Sequence, residues 1–159
     1  MARMARFQTD EPGELIRSAR LDAGLTQAAL ALRAGLRQPS LAQMETGARN
    51  VSSDMLERVL KAADYRPSLA LERSFASIRN LASGMGLRNV RVFGSVARGE
   101  DGFESDIDLL VTPDDGIDLF DLSLFGEEVR RITGFHADVI VDNGPFPPGW
   151  DVLQEAVQV

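Results

Sequence analysis

No cysteine occurs anywhere in the sequence, which excludes a disulfide framework and any thiolate metal site. A single histidine, His136, leaves neither a Ser-His-Asp triad nor a multi-histidine metal cluster to be built. No apolar run approaches the roughly eighteen residues of a membrane span. The opening Met1-Ala2-Arg3-Met4-Ala5-Arg6 lacks the apolar stretch of a secretory leader. A cytoplasmic location without a membrane partner is therefore the expectation. Basic charge is also in short supply: 17 Lys and Arg stand against 24 Asp and Glu, for a net charge of −7. What remains is an ordinary globular composition, 44% hydrophobic and 26% charged, in 159 residues that suit one domain or two small ones.

The charge is unevenly spread. Residues 1–72 carry ten basic against nine acidic side chains, a net of +1, whereas residues 73–159 carry seven against fifteen, a net of −8. Nucleic acid, if bound, should meet the first half and be repelled by the second. Arg66-Pro67-Ser68 is a plausible boundary, predicting domains over residues 1–66 and 67–159.

The second half holds the sharpest chemical pattern. Val90-Arg91-Val92-Phe93 reads as a β-run broken by Gly94, after which Ser95 can open a helical turn whose N–H groups and hydroxyl meet a phosphate. Gly94 would let backbone come close to that phosphate. Ten residues on, Asp106 and Asp108 alternate with Ile107 and Leu109. Residues two apart in a strand share a face, so both carboxylates aim together while the apolar pair turns to the core. At about 4 Å two such charges repel by roughly 4 kcal/mol at an effective dielectric near 20. A divalent cation or a raised pKa offsets that cost, and hard carboxylate oxygens suit Mg²⁺ or Mn²⁺.

The text from Phe93 to Glu100, followed by Ser105-Asp106-Ile107-Asp108-Leu109-Leu110-Val111, resembles the minimal nucleotidyltransferases of the DNA polymerase β-like superfamily. His136-Ala137-Asp138-Val139-Ile140-Val141 fits that family's third carboxylate strand, with Asp138 in the acid's place. The likeness extends from about Leu71 to the ending Leu153-Gln154-Glu155-Ala156-Val157. It implies an α/β domain with a small mixed sheet. It also implies that Asp106 and Asp108 hold two metals on the triphosphate of ATP, while Asp138 helps activate the attacking hydroxyl. Gly94 and Ser95 would bind nucleotide. Arg98, three residues past Ser95, either reaches a phosphate or is a solvated loop charge. His136 either borders the site or plays a structural part, and Trp150 reads as a packing anchor.

The first half reads as short helices punctuated by glycine. Leu15, Ile16, Ala19 and Leu21 mark one, closed by Gly24. Thr26 caps a second over Gln27–Ala34, ended by Gly35, and a third runs from about Gln38 to Thr46 before Gly47. Ser52 or Ser53 caps a fourth, with Met55, Leu56, Val59, Leu60 and Ala63 as its apolar stripe. Gly24-Leu25-Thr26-Gln27-Ala28-Ala29-Leu30-Ala31, Ala34-Gly35-Leu36 and Met44-Glu45-Thr46-Gly47 resemble the Cro/repressor-type helix-turn-helix over roughly Pro12 to Tyr65. The resemblance implies that Gln38, Ser40 and Gln43 face base edges in a major groove, with Gln27 near a phosphate. Arg37 and Arg49 are candidate backbone contacts. Arg37 stands where that family usually has a Ser or Thr cap, Pro39 replaces a residue that could contact DNA, and Val51 stands where proline is common. A homodimer would double the contacts of a weakly basic domain.

Later elements follow the same logic. Leu71, Phe75, Ile78 and Leu81 recur at helical spacing up to Gly84 and Gly86. The polar loop from Arg98 to Ser105 is expected to be mobile until nucleotide binds. Leu119 to Ile132 reads as a helix, and the Pro-rich 144–149 stretch as a rigid connection to a last helix. The expected whole is α+β: an all-α helix-turn-helix domain, then an α/β nucleotidyltransferase domain. Proteins resembling it often act as antitoxins that transfer AMP from ATP to a toxin of the HEPN type, and the DNA-binding half would repress an operon at its operator. Two alternatives stay open. One is transfer to RNA or a small molecule; the other is a repressor whose second domain only senses nucleotide.

Overall fold

The computed structural model describes residues 4–159. Met1–Arg3, part of the stretch read as lacking a leader, lie outside the described residues. The chain divides into two compact units, one ending at Tyr65 and one running Arg66–Val159. Among the described residues no helix is long and apolar enough to cross a membrane.

The first unit is four helices: α1 (Pro12–Asp22), α2 (Gln27–Ala34), α3 (Gln38–Thr46) and α4 (Ser53–Ala62). Their ends follow local chemistry. Thr26 and Ser52 accept hydrogen bonds from the Ala29 and Met55 N–H groups, at 3.1 and 3.2 Å, and so cap α2 and α4. Gly35 and Gly47 leave α2 and α3 in the left-handed conformation. Arg37 supplies no side-chain cap to α3, as its lack of an acceptor requires. Ile16, Leu30, Leu41, Met44, Val59 and Leu60 are fully buried and form the core.

Two contacts lock α1 against α3. A Cβ on Gly13 would lie 2.3 Å from the Met44 carbonyl oxygen, so only glycine lets α1 start this close to the end of α3. Arg20 also donates from Nε and Nη2 to the two carboxylate oxygens of Glu45, at 2.6 and 3.1 Å, and from Nη1 to the Leu25 carbonyl. The side chains are only 12% and 4% exposed. Burial raises the Glu45 pKa, but the hydrogen bonds from Arg20 and Gln27 and the charges of Arg20 and Arg17 outweigh it, leaving the carboxyl below its ordinary value.

The second unit is an α/β layer of α5 (Pro67–Gly84), β1 (Leu87–Phe93), α6 (Gly94–Arg98), β2 (Ile107–Pro113), α7 (Leu119–Thr133), β3 (Ala137–Val141), α8 (Val152–Glu155) and β4 (Val157–Gln158). The four strands form one mixed sheet in the order β3-β2-β1-β4. β1 is antiparallel to β2 and β4, while β2 and β3 are parallel across the α7 crossover. Helices α5 and α7 pack on each other, α5 on β1 and α7 on β3. Val152 closes a small second cluster with Phe93 and Leu110. Away from the site, Asp142 accepts from Arg91 of β1 and Thr112 of β2, both at 2.5 Å, and pins the strand layer.

The structure corrects two expectations. The loop from Arg98 to Ser105 is anchored rather than loose. Its Asp101 is buried and accepts from the Ser68 N–H at 2.7 Å, giving α5 a cap from outside its own segment. Phe103 of the same loop packs edge-on against Phe135. The expected last helix is a single turn, α8, followed by β4, because a strand partner is available on β1 for Val157. Trp150 meets Phe93 and Phe146 edge-on, the packing part read for it.

Glu45→Ala should destabilise the helical unit by about 3 kcal/mol, because it leaves the buried Arg20 guanidinium without its counter-charge. Since the folded-state pKa of Glu45 is depressed, its stabilisation is present above the ordinary value of 4.5 and lost as pH falls through the folded value. Denaturant melts of parent and variant should converge in acid. A constant gap at all pH values would refute the assignment.

Candidate active site and nucleic-acid interface

The site of the second unit grows from strand register. β2 and β3 run parallel with Asp108 opposite Asp138, so the two carboxylates leave the same end of the sheet on the same face. Asp106 is the residue just before β2, one position short of the ladder. Burial raises the pKa of Asp108, and the charges of Asp138, Asp106 and Glu155 push it further up against a smaller pull from Arg98. Asp106 and Asp138, read from the sequence with it, thus both bear electrostatically on Asp108.

Gly94 ends β1 beside them, and the reason for the glycine is more specific than the sequence suggests. Its φ is +69°, and a Cβ there would lie 2.3 Å from Asp108 Oδ2. The residue is glycine because the Asp108 carboxylate occupies the space of a side chain. Ser95 and Arg98 follow in the short helix α6. Arg98 is turned to protein acids: Nε donates to Glu100 at 2.9 Å and Nη1 to Glu155 at 2.5 Å. His136 Nε2 lies 3.1 Å from Asp138 Oδ1, so the lone histidine touches the third acid.

Asp106, Asp108 and Asp138 were expected as metal ligands, and the structure brings them to one place without a finished cage. Among the described residues no group of three or more His, Asp or Glu side chains stands in metal-holding geometry. Asp138 Oδ1 is engaged by the His136 ring. The donor set itself, three hard carboxylate groups, fits a divalent cation of the Mg²⁺ or Mn²⁺ kind.

Sequence reasoning missed Glu155. It accepts the Gly94 N–H at 3.2 Å as well as the Arg98 guanidinium, across 61 and 57 residues of chain. The only sequence signal was its place in the chain ending, which names no partner.

In the helical unit α3 turns Leu41 and Met44 inward and leaves Gln38, Pro39, Gln43 and Thr46 exposed, with Ser40 half-buried at the edge. Arg37 and Arg49, at either end of α3, are exposed. Gln27 was expected near a phosphate; its side chain also has partners within the protein. Nε2 donates to Glu45 Oε2 at 2.9 Å, and Oε1 accepts from Gln38 Nε2 at 2.9 Å. The chain Arg20–Glu45–Gln27–Gln38 therefore runs from the core to the exposed start of α3. It leaves Gln38 one amide hydrogen and its carbonyl, the pair a bidentate contact to adenine uses.

Comparison with known proteins agrees with both halves. A helix-turn-helix family model matches residues 16–69, and a nucleotidyltransferase domain model matches residues 78–153. A protein of Methanocaldococcus jannaschii named "Putative protein adenylyltransferase MJ0435" is 39% identical over 75 residues, spanning 46% of this chain and 81% of that protein. A solved structure of a "putative minimal nucleotidyltransferase" superposes with a TM-score of 0.52 at 33% identity, covering 58% of this chain and 95% of the other.

The raised pKa of Asp108 makes a signed prediction. The folded state holds this proton more tightly than the unfolded one, so the group's contribution to stability falls as pH rises above 3.8, its ordinary value, through the folded value. With divalent cations chelated, Asp108→Asn should melt at or above the parent temperature near neutral pH. The advantage should shrink in acid. Parallel melting curves across the range, or a variant less stable at neutral pH, would refute it.

Proposed function

This chain belongs to the nucleotidyltransferase domain family and carries a helix-turn-helix DNA-binding domain ahead of it; from that premise we propose a regulator that adenylylates a protein acceptor and binds its own operator. In this reading it is the antitoxin of a HEPN-type toxin, which receives AMP from ATP, and the helix-turn-helix represses the operon that encodes both. The observation that carries the catalytic part is the parallel register that sets Asp108 beside Asp138, with Asp106 adjoining and Gly94–Ser95 at the same strand ends.

The chemistry asked of these residues is an in-line displacement. A hydroxyl oxygen of the acceptor attacks the α-phosphorus of ATP, the bond to the bridging oxygen breaks, and pyrophosphate departs. Asp138 takes the hydroxyl proton; its Oδ1 is engaged by His136, which leaves Oδ2 for the transfer. The Gly94–Ser95 turn binds the triphosphate through the Ser95 N–H and hydroxyl, while the Gly94 N–H stays with Glu155. Mg²⁺ or Mn²⁺, held by Asp106, Asp108 and Asp138, supplies positive charge to the entering and leaving oxygens when bound.

DNA recognition rests on α3. Gln38 and Gln43 read base edges, Ser40 adds a contact, Gln27 holds Gln38 in place, and Arg37 and Arg49 meet phosphates. The small positive charge of this half supports binding as a pair of copies across two half-sites, since one copy has few charges to offer.

Incubation with labelled ATP, Mg²⁺ and the protein encoded beside the gene tests the enzymatic part. The parent should label that protein, and Asp106→Asn or Asp108→Asn should reduce labelling by at least about 100-fold, on the scale of removing a charge-stabilising group from a transfer site. Labelling by the double variant at the parent rate would refute the catalytic assignment. No labelling by the parent, combined with tight Mg²⁺-ATP binding, would instead establish the sensing reading.

Footprinting and binding on the upstream region test the DNA part. Gln38→Ala and Gln43→Ala should each cost about 1–3 kcal/mol on the operator and little on random DNA. Arg37→Ala and Arg49→Ala should weaken both and flatten the salt dependence. Equal affinity of the parent for operator and random DNA at physiological salt would count against operon repression.

A further inference from the structure

The last nine residues form a strap that returns to the Gly94 turn. Val152 is buried against Phe93 and Leu110, and two residues of β4 pair with Arg91 and Val92 of β1. These contacts fasten the strap on both sides of Glu155. Its side chain then does two things at once: Oε2 accepts the Gly94 N–H at 3.2 Å, and Oε1 accepts from Arg98 Nη1 at 2.5 Å. Gly94 and Arg98 are the first and last residues of α6. One carboxylate therefore grips both ends of the turn that contains Ser95, and the opposite side of Gly94 is filled by the Asp108 carboxylate.

We propose that Glu155 is a positioning residue for nucleotide binding, which holds the Gly94–Arg98 turn in its phosphate-receiving form and parks Arg98 until a triphosphate competes for it. The inference rests on the nucleotidyltransferase reading above. A five-residue helix between two glycines has no core of its own, and none of its residues is fully buried. Without an external grip it would sample many conformations, and nucleotide binding would have to bear the ordering cost. Glu155 meets that cost in the free protein. The pairing with Arg98 is exposed, with side chains 50% and 30% accessible, so it is weak enough to exchange for a phosphate. Glu100, the second acid on Arg98, otherwise meets the turn through its backbone N–H, which donates to the Ser95 carbonyl at 2.9 Å and does not depend on its side chain. The negative charge of Glu155 also adds to that of the three aspartates, so the grip carries an electrostatic cost until cation and nucleotide arrive together.

Full-length Glu155→Ala, Glu155→Gln and Glu100→Gln separate the roles. Gln can still accept the Gly94 N–H through its amide oxygen but loses the ion pair; Ala loses both. Two measurements are made on each. Amide hydrogen exchange of the nucleotide-free protein should quicken at least about tenfold over residues 94–99 in Glu155→Ala, with most protection restored in Glu155→Gln and none lost in Glu100→Gln, since protection follows the local opening equilibrium. In the transfer assay the KM for ATP should rise about tenfold or more in Glu155→Ala with kcat within about threefold, because the loss is in ordering before chemistry. A strap that had merely come loose would also speed exchange in β1 at residues 91–92, so unchanged exchange there keeps the result specific. Parent-like exchange over residues 94–99 in Glu155→Ala overturns the proposal, as does a fall in kcat with KM unchanged. A parent that transfers nothing defeats the catalytic reading, and the exchange measurement then decides this one alone.

Discussion

Like-charge crowding at one end of two parallel strands is the constraint around which the second unit is arranged. Asp108 is opposed by Asp138 in register, adjoined by Asp106 and overlooked by Glu155. A fold that gains nothing from this would not keep three other acids within reach of one carboxyl, because each pair costs free energy that the core must offset. The rest of the unit reads as the means of holding the arrangement. Ile107, Leu109 and Val111 are fully buried and anchor β2 in the core, while Asp108 on the alternate position stays half-exposed. Asp142 ties β1 and β2 together at a distance from the acids. Gly94 removes the one side chain that would contest the Asp108 position.

The helical unit solves a different problem by the same means, a buried charge with fully satisfied partners. Arg20 and Glu45 are half-buried, and beyond their bonds to each other their side chains reach the Leu25 carbonyl before α2, Gln27 at its start, and through it Gln38 at the exposed start of α3. A charged pair is a poor source of stability compared with an apolar core, but it carries geometric information that an apolar contact does not. Here that information fixes the amide plane of Gln38, which needs a defined orientation if it is to distinguish one base from another. The missing side-chain cap at Arg37 fits the same logic, since α3 is held at its start through Gln38 and at its end through Glu45.

Local chemistry made much of this legible in the sequence. Glycines in left-handed positions and hydroxyl caps set the helix limits of the first unit, and strand alternation around Ile107 exposed the acidic pair. The illegible parts are contacts between residues far apart in the chain. Nothing in the text of residues 98–105 says that Asp101 caps a helix 33 positions earlier, so a polar loop looked mobile. Nothing near Glu45 names Arg20, 25 residues away, as its partner. Glu155 sits in a segment whose composition favours a helix, and only the free edge of β1 turns the residues after it into a strand. Register between parallel strands is illegible for the same reason. Asp106-x-Asp108 and Asp138 were each readable alone, but their pairing depends on how α7 returns the chain.

Charge distribution bears on the acceptor. The unit from Arg66 onward has a net charge of −8 before any cation binds, and its candidate site gathers Asp106, Asp108, Asp138 and Glu155. An RNA end would bring a phosphate backbone into that field, and a cation within the site offsets the repulsion only locally. A protein hydroxyl brings no such charge and can be delivered on a basic surface that the field attracts. The opposite holds for the first unit, whose net charge of +1 neither repels DNA nor binds it indiscriminately. Weak general attraction puts the burden of DNA binding on direct base contacts, which suits a regulator of one operator better than a general nucleic-acid binder. In the proposed function the two units divide their partners by sign of charge: DNA for the one that is slightly basic, a nucleotide and a protein hydroxyl for the one that is strongly acidic.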